Sequence, residues 1–254
     1  MYRAYHLGLA EGDTEGATLA LLPGAPERTE ILAQAFGKAR VLAFHREFKS
    51  VLAENEVGKI LVVSTGIGGP SLSIAVEELS RLGIRWFIRV GTCGAIQEGV
   101  NVGDLIVSEG AVRLDGASEH YAPLAYPAVA DWRLVDVLEK ACKAAGVPYH
   151  VGITCSSATF YPGQERYDTF SRYVPRHLQG SLKEWQALGV LNYEMEVATL
   201  FVVARIFGLR AGAVCGVLVN RTKEEHVIEK ELRVVEERLA RVAALAARWV
   251  LERF

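Results

Sequence analysis

The chain has 254 residues, 50% apolar and 23% charged, which suffices for a large buried core and leaves no room for a long disordered tail. Its 28 Lys+Arg against 30 Asp+Glu give a net charge of -2, so no broad basic field exists to attract a nucleic acid, and an anion must be captured by local arginines. No stretch reaches the uninterrupted apolar length of a membrane span, and the opening "MYRAYHLGLAEGD" has no apolar core of signal-peptide length. The four cysteines, Cys93, Cys142, Cys155 and Cys215, form no C-x-x-C pair and have no His at metal-ligand spacing, so buried free thiols in the cytoplasm are expected.

Apolar β-branched runs alternate with amphipathic stretches. In chain order, "TLALLP" (18–23) reads as a strand and "PERTEILAQAF" (26–36) as a helix; "KILVVSTG" (59–66) is a strand, followed by the helix "GPSLSIAVEELSRLG" (69–83). "WFIRVGTCG" (86–94) and "DLIVSEGAV" (104–112) read as strands, several of these runs apolar enough to be buried on both faces. Then come a helix (131–146), the strand "HVGITCSSATF" (150–160), the helix "YEMEVATLFVVARIFG" (193–208), the strand "RAGAVCGVLVN" (210–220) and a long amphipathic helix over 229–254. The pattern is α/β, and without a linker or internal repeat it is expected to form one domain over residues 1–254.

Ligands of such sheets gather beyond the carboxyl ends of the strands, where five loops could meet. "STGIGGPS" places Gly66 and Gly68 between strand and helix, yet Ser71 stands where a dinucleotide fingerprint has its third glycine, and no acidic residue ends the next strand. Arginine placement says more. Arg28 lies in a helical first turn just after Gly24, Arg89 interrupts an apolar strand ahead of Thr92, and Arg46 sits in "FHREF". Singly, each is explained by an internal salt bridge; jointly, at strand ends, they point to a phosphate site with charge-assisted bonds of roughly 1.5–3 kcal/mol each. In "NYEMEVATL", Glu194 or Glu196 can complete a helix N-terminus, and Glu196 can equally accept both hydroxyls of a ribose. Behind the Pro162-Gly163 turn, Gln164 and Arg166 stand two apart, either solvated or converging on a flat polar ligand edge.

Together "YHLGL", "LLPGAPER", "FHREF", "STGIGGPSLSIAVEEL", "RVGTCGAIQ", "VRLDGAS", "FYPGQERYDT", "GSLKEWQALGVLNYEMEVATL" and "GVLVNRT" resemble the bacterial uridine phosphorylases of the nucleoside phosphorylase I family, over almost the whole chain and more weakly after about Thr222. The resemblance implies an α/β fold around a central mixed β-sheet flanked by helices, and a homo-oligomer, a hexamer built as a trimer of dimers. It implies reversible phosphorolysis of uridine to uracil and ribose 1-phosphate, with inorganic phosphate as co-substrate and no organic cofactor. By position, Gly24, Arg28, Arg89 and Thr92 resemble phosphate ligands, with Arg46 lent by the neighbouring subunit. His6, Met195, Glu196 and Thr92 resemble ribose contacts, His6 also crossing the dimer interface. Phe160, Gln164, Arg166, Gly94 and Cys93 resemble the base pocket, backed by Arg221 and walled by Leu218 and Val219. Some relatives hold potassium at the dimer interface near the equivalents of Glu47, Ile67 and Ser71. Cys93 stands where relatives often carry a second threonine, and a thiol is the weaker donor.

A guanidinium has no acceptor, which makes Arg166 the expected discriminator against cytosine, while Gln164 reads the O2/N3-H edge of uracil. As the glycosidic bond stretches, Arg166, Gln164, Arg89 and Glu196 are the residues expected to answer the developing charges. The rivals are a purine nucleoside phosphorylase of the same fold, which would be expected to carry an Asp where "GVLVNRT" has Asn220, a water-using nucleosidase, and a non-catalytic nucleoside-binding protein.

Overall fold

The computed structural model of the chain describes residues 2–223, 225 and 229–254. Its strands are β1 (Leu19–Leu22), β2 (Lys38–His45), β3 (Phe48–Glu54), β4 (Lys59–Val63), β5 (Trp86–Ala95), β6 (Leu105–Leu114), β7 (Ala128–Val129), β8 (Tyr149–Ser157), β9 (Asn192–Glu194) and β10 (Arg210–Asn220). The helices are α1 (Glu27–Phe36), α2 (Gly69–Arg81), α3 (Trp132–Ala144), α4 (Ser181–Ala187), α5 (Val197–Ile206) and α6 (Glu229–Arg253). Every run read as a strand is one. Periodicity did not reveal the β2–β3 hairpin, whose first strand is exposed or half-buried throughout, nor the short β7, β9 and α4.

One helix begins later than its apolar pattern suggests. Residues 193 and 194 belong to β9, and α5 starts only at Val197, because the Glu194 carboxylate accepts the N-H groups of Glu196 at 2.6 Å and Val197 at 2.9 Å. The acid that completes this helix N-terminus is therefore Glu194, which frees the Glu196 side chain for another task.

All ten strands join one mixed sheet. β1 pairs in parallel with β4 and β5, β5 with β10, and β8 with β6 and β9, while β3 pairs antiparallel with β2 and β4. Antiparallel β6–β10 and β5–β9 pairings close β5, β10, β6, β8 and β9 into a ring. Strand alternation divides the core: Ala20, Leu22 and Phe87 face Leu72 of α2 and Phe201 of α5, whereas Leu19, Leu21 and Ile88 face Leu32 of α1, Leu138 of α3 and Val242 of α6. The period-2 code of two strands thus sets a helical layer on each face, and the strand ends carry the loops of interest. Among the described residues no helix is long and apolar enough to cross a membrane.

α6 closes over β10 at Gly216, where an added Cβ would stand 2.2 Å from Val235 Cγ1. Gly216→Ala is expected to destabilise the fold by about 1–3 kcal/mol through overpacking. Trimming the opposing side chain, in Gly216→Ala/Val235→Ala, should lose less than the sum of the two single changes, as measured by chemical unfolding.

Candidate active site

The loops after β1, β4, β8 and β10 converge with strand β5 and the β9–α5 junction on one cavity of about 500 Å³. It is lined by Gly24, Arg28, Arg89, Thr92, Cys93 and Gly94, by Phe160, Gln164 and Arg166, by Met195 and Glu196, and by Leu218 and Val219, all singled out in the sequence. Ile67 lies at its edge. Arg221 does not line it; its Nη1 donates to the Gln164 backbone carbonyl at 2.7 Å and so fixes that residue from behind. His6, Arg46, Glu47 and Ser71 also lie outside the cavity wall. Glu47 and Ser71 stay close to its rim, since a Cβ on Gly66 would stand 2.9 Å from Glu47 Cγ, and Ser71 Oγ donates to Glu47 at 2.9 Å.

At one end Arg89, only 5% exposed, meets Glu196, only 4% exposed, with Nη2 2.6 Å from Oε2. The other Glu196 oxygen accepts the Gly68 N-H at 2.6 Å, so the glycine-rich turn spends an N-H on a carboxylate of the same chain. Arg89 Nη1 donates to the Leu22 carbonyl and to Thr65 Oγ1. The loop after β1 passes close to this guanidinium: a Cβ on Gly24 would stand 3.4 Å from Arg89 Nη2, in ordinary contact, and 3.3 Å from the Gly66 carbonyl oxygen, the tighter approach. Arg28 shares the corner, with the Glu236 carboxylate 3.9 Å from its Nε. Burial, and then the neighbouring Arg89 charge, draw its pKa below the ordinary arginine value, although a guanidinium remains charged.

At the opposite end the Arg166 guanidinium lies over the Phe160 ring, 4.3 Å from its centroid, and is paired with Glu225. Glu225 also accepts from Arg221 Nε at 2.6 Å. Burial, then the Arg221 charge, lower the Arg166 pKa. The two ends are built alike: two neighbouring guanidinium groups and one close carboxylate. Glu225 and the Tyr193 wall escaped the sequence reading; the four-residue spacing of Arg221 and Glu225 was the available signal for the first. Three buried donors of cavity-lining side chains, Arg28 Nη1, Arg89 Nε and Arg166 Nε, have no hydrogen-bond partner among the described residues.

Asn220 takes no part. Its Nδ2 donates to the Gln97 and Val100 carbonyls, and its Oδ1 accepts from Thr222 N and Oγ1. The four cysteines are free and buried, and burial holds the Cys93 thiol well above its usual pKa, hence protonated at the cavity wall.

A sequence profile described as the Phosphorylase superfamily matches residues 18–251. The chain belongs to the phosphorylase superfamily. Among its relatives, uridine phosphorylase of Escherichia coli (strain K12) is 54% identical over 97% of this chain and 98% of that protein. Uridine phosphorylase of Haemophilus influenzae is 51% identical over 99% of this chain and 100% of that protein. Guanosine phosphorylase of Halorubrum lacusprofundi is 38% identical over 85% and 83%. The superfamily match runs on through α6, beyond the point where the quoted motifs thin out.

Glu194 gives this phosphorylase-superfamily site a pH signature. Burial, then the adjacent Glu196 charge, push its carboxyl from 4.5 up to about 7, against the opposing bonds from Ser156 and the Glu196 N-H. The folded chain keeps this proton where the unfolded chain has released it, so the stabilisation is complete below pH 4.5 and lost as pH rises through about 7. The unfolding free energy of wild type minus that of Glu194→Gln should therefore fall, by on the order of 1–3 kcal/mol, between pH 4.5 and 7. A flat difference in urea titrations across that window would contradict the assignment.

Proposed function

We propose that this chain catalyses the reversible phosphorolysis of uridine to uracil and ribose 1-phosphate in the cytoplasm. One observation carries the reading: a nucleoside-sized cavity with Arg28 and Arg89 at one end and Arg166, backed by Arg221, at the other, holding buried N-H donors that have no partner among the described residues. Two adjacent buried cations against one close carboxylate favour a further anion at each end. The names of the relatives supply the candidates, inorganic phosphate at one end and a pyrimidine base at the other.

In this reading Arg28, Arg89, Thr92 and the backbone at Gly24 hold phosphate beneath the sugar, with Arg46 from a second copy. Glu196 keeps acceptor capacity beyond its bonds to Arg89 and Gly68, and takes the vicinal ribose hydroxyls beside Met195. Gln164 and Arg166 read the uracil edge between Phe160 and the apolar Leu218 and Val219. A phosphate oxygen forms its bond to C1′ as the C1′–N1 bond breaks; N1 keeps the electron pair, and the base leaves as an anion that solvent protonates. Arg166 and Gln164 bind that anion better than the neutral base, which lowers the barrier. The base needs no acid from the end of β10, where Asn220 is fully engaged; this supports a pyrimidine over a purine substrate.

The oligomer is part of the proposal, a hexamer of three dimers in which His6 and Arg46 complete the neighbour's site. The exposed Tyr5 and Phe44, 70% and 62% accessible beside those residues, support a contact there. The oxygen donors of Glu47, Ser71 and the Ile67 carbonyl suit a hard cation such as potassium at that contact. The free cysteines agree with a reducing compartment.

Purified protein given uridine, thymidine, cytidine and inosine, each with and without inorganic phosphate, should release base from uridine only when phosphate is present. Release without phosphate, or from inosine alone, would sink the reading. Arg166→Ala should lower kcat for uridine by on the order of 10²–10³. Two inactive proteins, Arg46→Ala and Arg166→Ala, should regain activity when co-assembled, because mixed dimers contain one intact shared site; failure to recover would show that sites are not shared.

A further inference from the structure

His6 is held on three sides by its own chain. The buried Glu78 carboxylate on α2 accepts the backbone N-H of His6 at 3.1 Å and of Leu7 at 2.9 Å, and lies 2.8 Å from the His6 ring atom Nδ1. The ring stands edge-on to the fully buried Phe48, and His45 Nδ1 lies 2.9 Å from the His6 carbonyl. Burial by itself would raise the Glu78 pKa; the Leu7 N-H, the His6 ring and the His6 N-H more than offset this and keep the carboxyl below its usual range. An ionised carboxylate can only accept, so the ring must give it Nδ1-H, and a neutral imidazole so bound presents Nε2 as a bare acceptor. The two backbone bonds suffice to tether the N-terminal segment to α2. The third, to the ring, fixes a tautomer and an orientation.

We infer that Glu78 is a positioning residue, which locks His6 so that Nε2 accepts a hydrogen bond from the ribose hydroxyl that Glu196 leaves over, the 5′-OH, in the site of a second copy. This rests on the proposed reading of His6 as a ribose contact. In Glu78→Gln the amide oxygen still accepts from Leu7, but the NH₂ group turns towards the ring and demands an acceptor. The tautomer then reverses, and Nε2 offers a hydrogen where it had offered a lone pair.

The test compares kcat/KM for uridine and 5′-deoxyuridine in the full-length assembled enzyme. Wild type, His6→Ala, Glu78→Gln and the double variant are measured, with assembly mass and thermal midpoint recorded for each. Either single change should reduce the preference for uridine about tenfold, chiefly through KM, the scale of one hydrogen bond. In the double variant Glu78→Gln should cost nothing further, because Glu78 acts through His6. If His6→Ala loses the preference while Glu78→Gln keeps it, the role of Glu78 is overturned and that of His6 stands. If His6→Ala keeps it, His6 is no ribose contact and both ideas fall. Should Glu78→Gln not assemble, Glu78→Asp, which withdraws the carboxylate from the ring by one methylene, must weaken the same preference, and an unchanged preference overturns the inference.

Discussion

The buried pair of Arg89 and Glu196 is the constraint around which the site is arranged. Neither charge could be kept at 5% and 4% exposure alone, since removing one partner of such a pair typically costs about 3–5 kcal/mol. Their remaining bonds fall on Leu22 at the end of β1 and on Thr65 and Gly68 in the β4–α2 loop, so one ion pair registers the end of β1, that loop and the start of α5 against β5. The glycines beside it answer other close approaches: an added Cβ would stand 2.9 Å from Glu47 Cγ at Gly66 and 2.2 Å from Thr199 Oγ1 at Gly69.

The opposite end repeats the device with a difference. Glu225 is 39% exposed on its side chain and comes from the chain beyond β10, whereas Glu196 is locked at a helix start. On the proposed reading, a neutral base must compete with the Glu225 carboxylate for Arg166, and it competes poorly. As the glycosidic bond breaks the base becomes an anion, and the exchange turns in its favour. Part of the selectivity for the transition state then resides in the protein's own carboxylate, because interactions that strengthen only as charge develops are those that raise the rate.

What could be read in the sequence divides along physical lines. Strands buried on both faces, such as those containing Leu21 and Val214, carry dense β-branched and leucine runs, and their ends were plain. Arg89 announced itself by interrupting such a run. β2 stayed hidden because a half-exposed edge strand has no periodic apolar code, and β9 because its Tyr193 and Glu194 read as the start of the next helix. The partner of Arg89 was beyond reach: Glu196 lies 107 residues away, and nothing local distinguishes a carboxylate that caps a helix from one that answers a distant arginine. The structure divides these roles between Glu194 and Glu196.

The two-residue turn between β2 and β3 bears on why the cavity wall lacks Arg46. Arg46 sits at φ 56°, a left-handed conformation that costs a non-glycine residue roughly 1 kcal/mol or more. Asn or Gly would relieve that cost, and the hairpin gains no core contact from an exposed arginine. The following residue, Glu47, packs against the Gly66 loop and bonds Ser71, so the turn is fixed to the cavity rim while Arg46 stays outside the wall of its own cavity. On the proposed reading this strained cation serves a neighbouring copy and not the cavity of its own chain. In the assembly proposed above the strain would be offset where a second copy brings the same rim against this one and each Arg46 meets the other's phosphate.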